Sequence, residues 1–582
     1  MAALILAERG SGRIAVLAQG GCTPPYANAV VAENCLTGDA DWDLTGGTDS
    51  TIQGFADNIS VDVGQTVNFK INTDATTYRI DIYRLGYYSS AGARKITSST
   101  ITLAQAQVQP ACASDTLTGL VDCGTWATSA SWSTAGQTSG IFLAKLTRID
   151  AGVPATGANH IVFVVRDDSR HSDVLFQTSD TTWQAYNRYG GNSLYFGGPG
   201  VNPPPYSNPG RAYKVSYNRP FDTRSHDPQS FLFNAEYPMV RWLEANGYDV
   251  SYFTGVDSDR SGALIKDHKA FLSVGHDEYW SGAQRANVEA ARDAGVHLAF
   301  FSGNEVFWKT RWEASLVAPN VSHRTLVSYK ETLENAKIDP DPAVWTGTWR
   351  DARFSPPADG GRPENGLTGT MYSADCCTHS IMVPSELGAH RFWRNTGIGA
   401  LPPATSATLT QGSLGYEWDE DLDNGFRPAG LTRLSSTTVD VPAKFGAPYS
   451  TAPGTATHSL TLYRKDTLDQ QGNTKKALVF GAGTVQWSWG LDTVHDREAS
   501  TIDSRMQQAT INLFADMGVQ PGSIQTGMIA GSASTDTVAP TSVITAPTGG
   551  NADSGSRLTI SGTASDTGGV VAGVEVSVDG GV

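Results

Sequence analysis

The sequence predicts a multidomain α/β plus all-β protein, on three observations. Residues 52–166 alternate apolar and polar side chains at period two between Gly, Thr, Asp and Ser clusters, the pattern of half-buried antiparallel strands. From Val174 to Phe301 short apolar strands alternate with helix-length segments, which builds a parallel sheet covered by helices. Beyond residue 521 a Gly/Ser/Thr-rich stretch leads to a last segment with strand signals only. At 582 residues the chain exceeds what one core holds.

In chain order, residues 1–50 lack periodicity and are expected to be irregular. Their apolar stretch is interrupted by Glu8, Arg9 and Arg13, so it makes a poor signal peptide. Residues 51–166 are expected to form an antiparallel β-sandwich, with Val67, Phe69 and Ile71, then Tyr78, Ile80 and Ile82, on alternating faces. Residues 167–521 are expected to form a three-layer α/β domain. Within it a strand at 174–176 leads into Asp180, and a helix at 235–246 stops at Gly247. Strands follow at 249–253 and 270–274. The next helix, 281–294, has Ser281 as N-cap and Gly295 as stop, and a strand at 296–301 ends before Glu305. β-like insertions at 371–383 and 409–417, a returning strand at 477–481 and a closing helix at 503–517 complete the domain. Residues 522–540 read as a linker, and 541–582 as the opening half of an immunoglobulin-like domain, cut short.

The formal charge of -16 argues against nucleic acid and anionic membrane surfaces as partners. No apolar run reaches the roughly 18 residues of a membrane span. Of six cysteines, Cys22 with Cys35 and Cys112 with Cys123 suit two local disulfides and an extracellular address. Adjacent Cys376 and Cys377 give no reading of their own.

The chemistry concentrates at residues 271–281, where an apolar run ends in Gly275-His276-Asp277-Glu278-Tyr279-Trp280-Ser281. Ligands in open α/β sheets bind outside the carboxyl ends of the strands. Asp180, His276 to Tyr279 and Glu305 all follow strand ends, and Tyr237, in an early helical turn, reaches the same rim. Glutamine-amidotransferase-like sheets carry a Cys nucleophile at such an elbow. This elbow has neither Cys nor a Gly-x-Ser-x-Gly serine, which leaves metal chemistry, carboxylate acid/base work or no catalysis. A phenol, with a pKa near 10, ligates well only to a strongly Lewis-acidic ion, which favours iron over magnesium or calcium.

Several motifs add a resemblance. Tyr83-Arg84-Leu85-Gly86-Tyr87-Tyr88, Ala235-Glu236-Tyr237, His276-x-Glu278-Tyr279, Gly303-Asn304, Trp345-Thr346-Gly347-Thr348-Trp349-Arg350 and Gly415-Tyr416-Glu417 are spread over residues 52–520. Together they resemble the large subunit of the N,N-dimethylformamidase family and its secreted relatives. The resemblance implies a mononuclear iron held by two tyrosines and a glutamate. Matched by motif, the tyrosines are Tyr237 and Tyr279. The glutamate does not carry over by motif, because Val344-Trp345 stand where the family has its acid; Glu305 is taken as the third ligand, with Glu331 as alternative. His276, Glu278 and Glu417 are the acid/base candidates. Glu417 opens an acidic run, 417–425, that reads alternatively as a calcium site or a solvated loop.

The function expected is hydrolysis of a C–N amide bond by a secreted, iron-dependent enzyme acting on a small amide, with homo-oligomerisation left open. The competing expectation is a non-catalytic surface or carbohydrate-binding protein on a degenerate scaffold, with a glycan as partner. A glycan hydrolase with Glu278 and Glu305 as its carboxylate pair is a third.

Overall fold

A computed structural model describes residues 22–44, 48–150, 158–197, 211–354, 360–536, 538–549, 557–569, 571, 574 and 576. The expectation for the apolar stretch near the N-terminus lies outside them. The chain is mixed α/β, with many small sheets and few helices. Its lead-in is not wholly irregular. Ala29–Asn34 is a short helix, capped by Asn28 accepting from Val31 N.

Residues 52–166 contribute two principal sheets. One has three strands, in the order Ile52–Ala56, Thr66–Thr73, Ala130–Ser133. The other has five, in the order Ser60–Asp62, Ala158–Arg166, Gly140–Arg148, Thr77–Leu85, Ala93–Thr102. The pairs are antiparallel except Ser60–Asp62, which runs parallel to Ala158–Arg166. Both sheets send alternate side chains into one core, where Phe163 meets Phe69 and Phe142 at centroid distances of 5.6 Å.

The central sheet has seven strands, in the order Val250–Thr254, Val174–Thr178, Ala270–His276, His297–Gly303, Thr474–Gly481, Thr461–Leu468, Thr432–Arg433. The first five are parallel and the last two antiparallel. Strand alternation gives each face its own apolar cluster. Leu272, Val274 and Phe301 pack with helices Leu232–Ala245 and Ser504–Asp516. Phe271, Leu298 and Phe300 pack with Val288 and Ala291 of helix Gly282–Asp293. Ser281 caps this last helix in a box with Gln284, which satisfies two donors at once. Gly247 and Gly295 follow their helices at φ +63° and +101°, where a side chain would be strained.

Two features position the site. Arg84 of the five-stranded sheet and Glu244 of helix Leu232–Ala245 form a wholly buried ion pair at 2.8 Å, with Tyr252 also donating to Glu244. Over the carboxyl ends of the central strands lies a four-stranded sheet ordered Glu417–Glu420, Met371–Asp375, Thr437–Gly446, Ser450–His458.

Disulfides join Cys22 to Cys35, Cys112 to Cys123 and Cys376 to Cys377. Near the C-terminus Thr541–Ala546 pairs with Ser561–Ser565 and both strands are largely exposed. Most of residues 570–582, the end of the segment read as immunoglobulin-like, lies outside the described residues.

Candidate active site

The strand Ala270–His276 delivers His276 and Glu278 to the rim of the sheet. Gly275 makes the exit turn at φ +81°, and a Cβ there would lie 3.2 Å from the Ala235 side chain, so glycine alone fits comfortably. The neighbouring strand His297–Gly303 delivers Asn304, itself at φ +48°. Helix Asp180–Tyr186 ends on Tyr186, and the loop after it brings in Tyr195. Glu417 comes from the overlying sheet. Of these functional side chains all but His276, which lies behind Glu417 and Glu278, line a cavity of about 310 Å³, together with Gln229, Ser230, Phe307, Trp308, Tyr372, Asp375, Tyr416, Phe445 and Tyr449.

Two phenols converge on one carboxylate. Tyr195 Oη donates to Glu278 Oε1 at 2.5 Å, and Tyr186 Oη donates to Glu278 Oε2 at 3.2 Å. The two rings stack with centroids 4.4 Å apart. Burial, then the charge of Glu278, hold both phenols well above their ordinary pKa, and burial also raises Glu278. Behind Tyr195, the buried Lys330 lays its Nζ 3.0 Å from the ring centroid and makes no hydrogen bond.

Beside this trio stands an acid/base pair. His276 Nε2 lies 2.7 Å from Glu417 Oε2 and 3.4 Å from Glu278 Oε2. Asn304 Nδ2 donates to Glu417 Oε2 at 3.1 Å, while Tyr416 Oη and Ser230 Oγ flank His276 Nδ1 at 3.2 and 3.4 Å. Burial alone would push His276 down, but Glu417, Glu278 and Asp277 outweigh it and hold it up to about 9. The imidazole is therefore protonated near neutral pH.

His276, Glu278 and Glu417, named from the sequence, thus share one site. Tyr237, Tyr279 and Glu305 are not brought together. The helix carrying Tyr237 begins at Leu232, earlier than expected, so Tyr237 sits in its second turn. Its phenol donates to Gly92 O at 2.8 Å, among Trp42 and Phe233. Tyr279 Oη is buried against the Tyr195 phenol with no hydrogen bond of good geometry. Glu305 is buried with Thr370 and Asp419, away from the cavity lining, so it neither joins a metal trio with them nor faces Glu278 across a sugar groove. The alternative, Glu331, accepts from Ile338 N, Asp339 N and Thr346 N, a structural task. Asp180 is buried beneath the rim, accepting from Tyr217 and Gly255 N.

The acidic run divides in two: its second half, Asp423 to Gly425, is an exposed loop, and its first half is not. Glu417–Glu420 is a buried strand: Glu417 pairs with His276, Asn304 donates through Nδ2 to Glu417 and through its backbone N to Asp419, and Glu420 pairs with Lys444. Asp421, just beyond it, pairs with Arg433. Sequence reasoning missed Tyr186 and Tyr195. Their signal was two tyrosines in the helix and loop that follow the first central strand, the rim position already identified for Asp180.

A phenol–phenol–carboxylate set fits a hard, strongly Lewis-acidic ion: both phenols already lie within hydrogen-bond distance of the Glu278 carboxylate, beside a proton donor. Comparison with the curated proteins finds no match. Residues 79–501 match the family model described as N,N-dimethylformamidase beta subunit-like, C-terminal. The chain belongs to the N,N-dimethylformamidase beta subunit-like family.

Proposed function

We propose that the chain is a metal-dependent hydrolase of a C–N amide bond, with Tyr186, Tyr195 and Glu278 holding a mononuclear iron. The observation that carries this is the convergence of two phenols on Glu278 next to the His276–Glu417 pair, in one cavity. When bound, such an ion supplies Lewis acidity to a carbonyl oxygen and to water.

The protein's own residues supply the rest. Glu417, acceptor of the His276 and Asn304 hydrogen bonds, takes a proton from the attacking water. His276, held protonated, returns a proton to the departing amine nitrogen. Water's oxygen forms the new bond to the carbonyl carbon, the C–N bond breaks, and carboxylate and amine leave. Tyr416 and Ser230 at Nδ1 keep the imidazole's other edge facing inward, so that Nε2 points at Glu417. The aromatic lining limits bulk water and fixes the amide's plane.

The central sheet supports a glutamine-amidotransferase-like description, and the paired sheets of residues 52–166 support a sandwich module ahead of it. The disulfides support an extracellular address.

Metal analysis of the purified chain, with a tyrosinate-to-iron visible band and an amide-substrate screen, tests the proposal. Coloured, iron-containing protein that releases amine supports it. Metal-free, colourless protein that leaves every amide intact overturns it.

A further inference from the structure

The cavity carries more negative charge than the proposed chemistry uses. Its charged lining residues are Glu278, Glu417 and Asp375, and no lysine or arginine lines it. Glu278 is engaged by the two phenols, and Glu417 by His276. Asp375 has no hydrogen bond or ion pair to any described residue; its electrostatic neighbours are Glu417, His276 and Glu278. Burial first, then repulsion from Glu417, push its carboxyl up to about 6, against the charge of His276, which lowers it.

The backbone brings this carboxylate to the cavity. Regular alternation along Met371–Asp375 would put Tyr372 and Asp375 on opposite faces. A bulge between Tyr372 and Ala374 shifts the register, and both residues line the cavity. Bulges re-aim side chains in this way beside functional sites.

Aromatic side chains line the same cavity. Tyr372 packs on Phe445 at 4.7 Å, Phe445 on Tyr449 at 5.3 Å, and Tyr449 on Trp308 at 5.8 Å. Tyr372 is 97% buried (3% relative exposure), yet its hydroxyl has no partner among the described residues. An unpaired carboxylate next to ring faces is the environment that attracts a compact organic cation. The ring quadrupoles and the carboxylate both favour it, and both reject an anion.

We infer that the cavity selects an amide bearing an alkylammonium group, with Asp375 and the Tyr372–Phe445–Tyr449 wall as its cation subsite. The amide half of this statement rests on the hydrolase proposal above; the cation half does not. At about 310 Å³ the cavity has room for both halves of such a molecule.

The test has two arms on the full chain. In the first, choline and its neutral carbon isostere are titrated calorimetrically into wild type, Asp375→Asn and Tyr449→Leu. Choline is expected to bind wild type about tenfold tighter than the isostere, and each substitution to remove most of that preference. Equal binding of the two, no choline binding, or a preference that survives Asp375→Asn overturns the inference. The Asp375 side chain holds no hydrogen bond or ion pair among the described residues, so its substitution is expected to leave the fold intact, as circular dichroism checks. In the second arm, kcat/KM is compared for two acetamides differing only by trimethylammonium against tert-butyl. A cationic preference that falls about tenfold in Asp375→Asn supports the inference. Choline binding without turnover of either acetamide upholds the cation subsite and counts against the hydrolase proposal alone.

Discussion

His276 Nε2 and Glu417 Oε2 lie 2.7 Å apart, although one ends a strand of the central parallel sheet and the other begins a strand of the sheet laid over it. The pair exists only because the insertion folds back over the carboxyl edge. Its consequences, and those of the neighbouring trio, can be measured.

Replacing Glu417 with Gln should lower kcat by about 10² to 10⁴-fold, the usual worth of a positioned base, while iron content stays near wild type. Parallel metal analysis and steady-state kinetics check this. Loss of iron together with activity would instead give Glu417 a role in holding the ion.

Tyr195→Phe and Tyr186→Phe should each abolish or severely weaken iron binding and bleach the visible band. Tyr279→Phe and Tyr237→Phe should keep both. Tyr237→Phe should cost only its buried bond to Gly92 O, on the order of 1 kcal/mol. Full iron occupancy in Tyr195→Phe would remove that residue from the ligand set.

Glu244→Gln should destabilise the protein by about 3–5 kcal/mol, because it strands the Arg84 guanidinium in a dry junction. Replacing both residues by apolar ones of similar volume should recover much of that loss. Denaturant unfolding of the three proteins decides it; a drop below about 1 kcal/mol for the single variant would mean water reaches Arg84.

Acid should destabilise the chain before its carboxylates protonate. His458 is buried, with Nε2 against Ala482 O and Nδ1 unpartnered, and burial holds it down to about 4. A histidine depressed in the folded state binds its proton more readily when unfolded. Its contribution is therefore present above pH 6.5 and lost as pH falls through about 4, on the order of 3 kcal/mol in total. Half-buried His297, also held down to about 4 by burial, adds to the same window. Urea midpoints measured between pH 7 and pH 4 should fall, and His458→Gln should flatten the slope. An unchanged slope would place the acid sensitivity elsewhere.

Much of the architecture follows from local pattern. Period-two alternation marked the strands of residues 52–166. The alternation of strand and helix marked the parallel strands, and Ser281, Gly247 and Gly295 marked helix ends, because caps and turns are properties of a few adjacent residues. The elbow carrying His276 and Glu278 was legible for the same reason: a strand, a glycine and a helix start are consecutive.

The phenols that meet Glu278 were not legible, since they depend on which side chains from distant segments face one point. Tyr237 lies in an early turn of a helix expected at the rim of the sheet, and Tyr186 follows a central-strand end in sequence at the same rim. Starting the helix at Leu232 turns the first onto Gly92, while the end of the preceding short helix turns the second onto Glu278. The acidic run shows the same limit. Its carboxylates lie close in sequence, but the strand seats Glu417 and Asp419 on the side of His276 and Asn304 and Glu420 against Lys444. Sequence alone determined the strand order's raw material and one half of the active site; tertiary packing chose the other half, because convergence is set by the angles between elements and not by spacing along the chain.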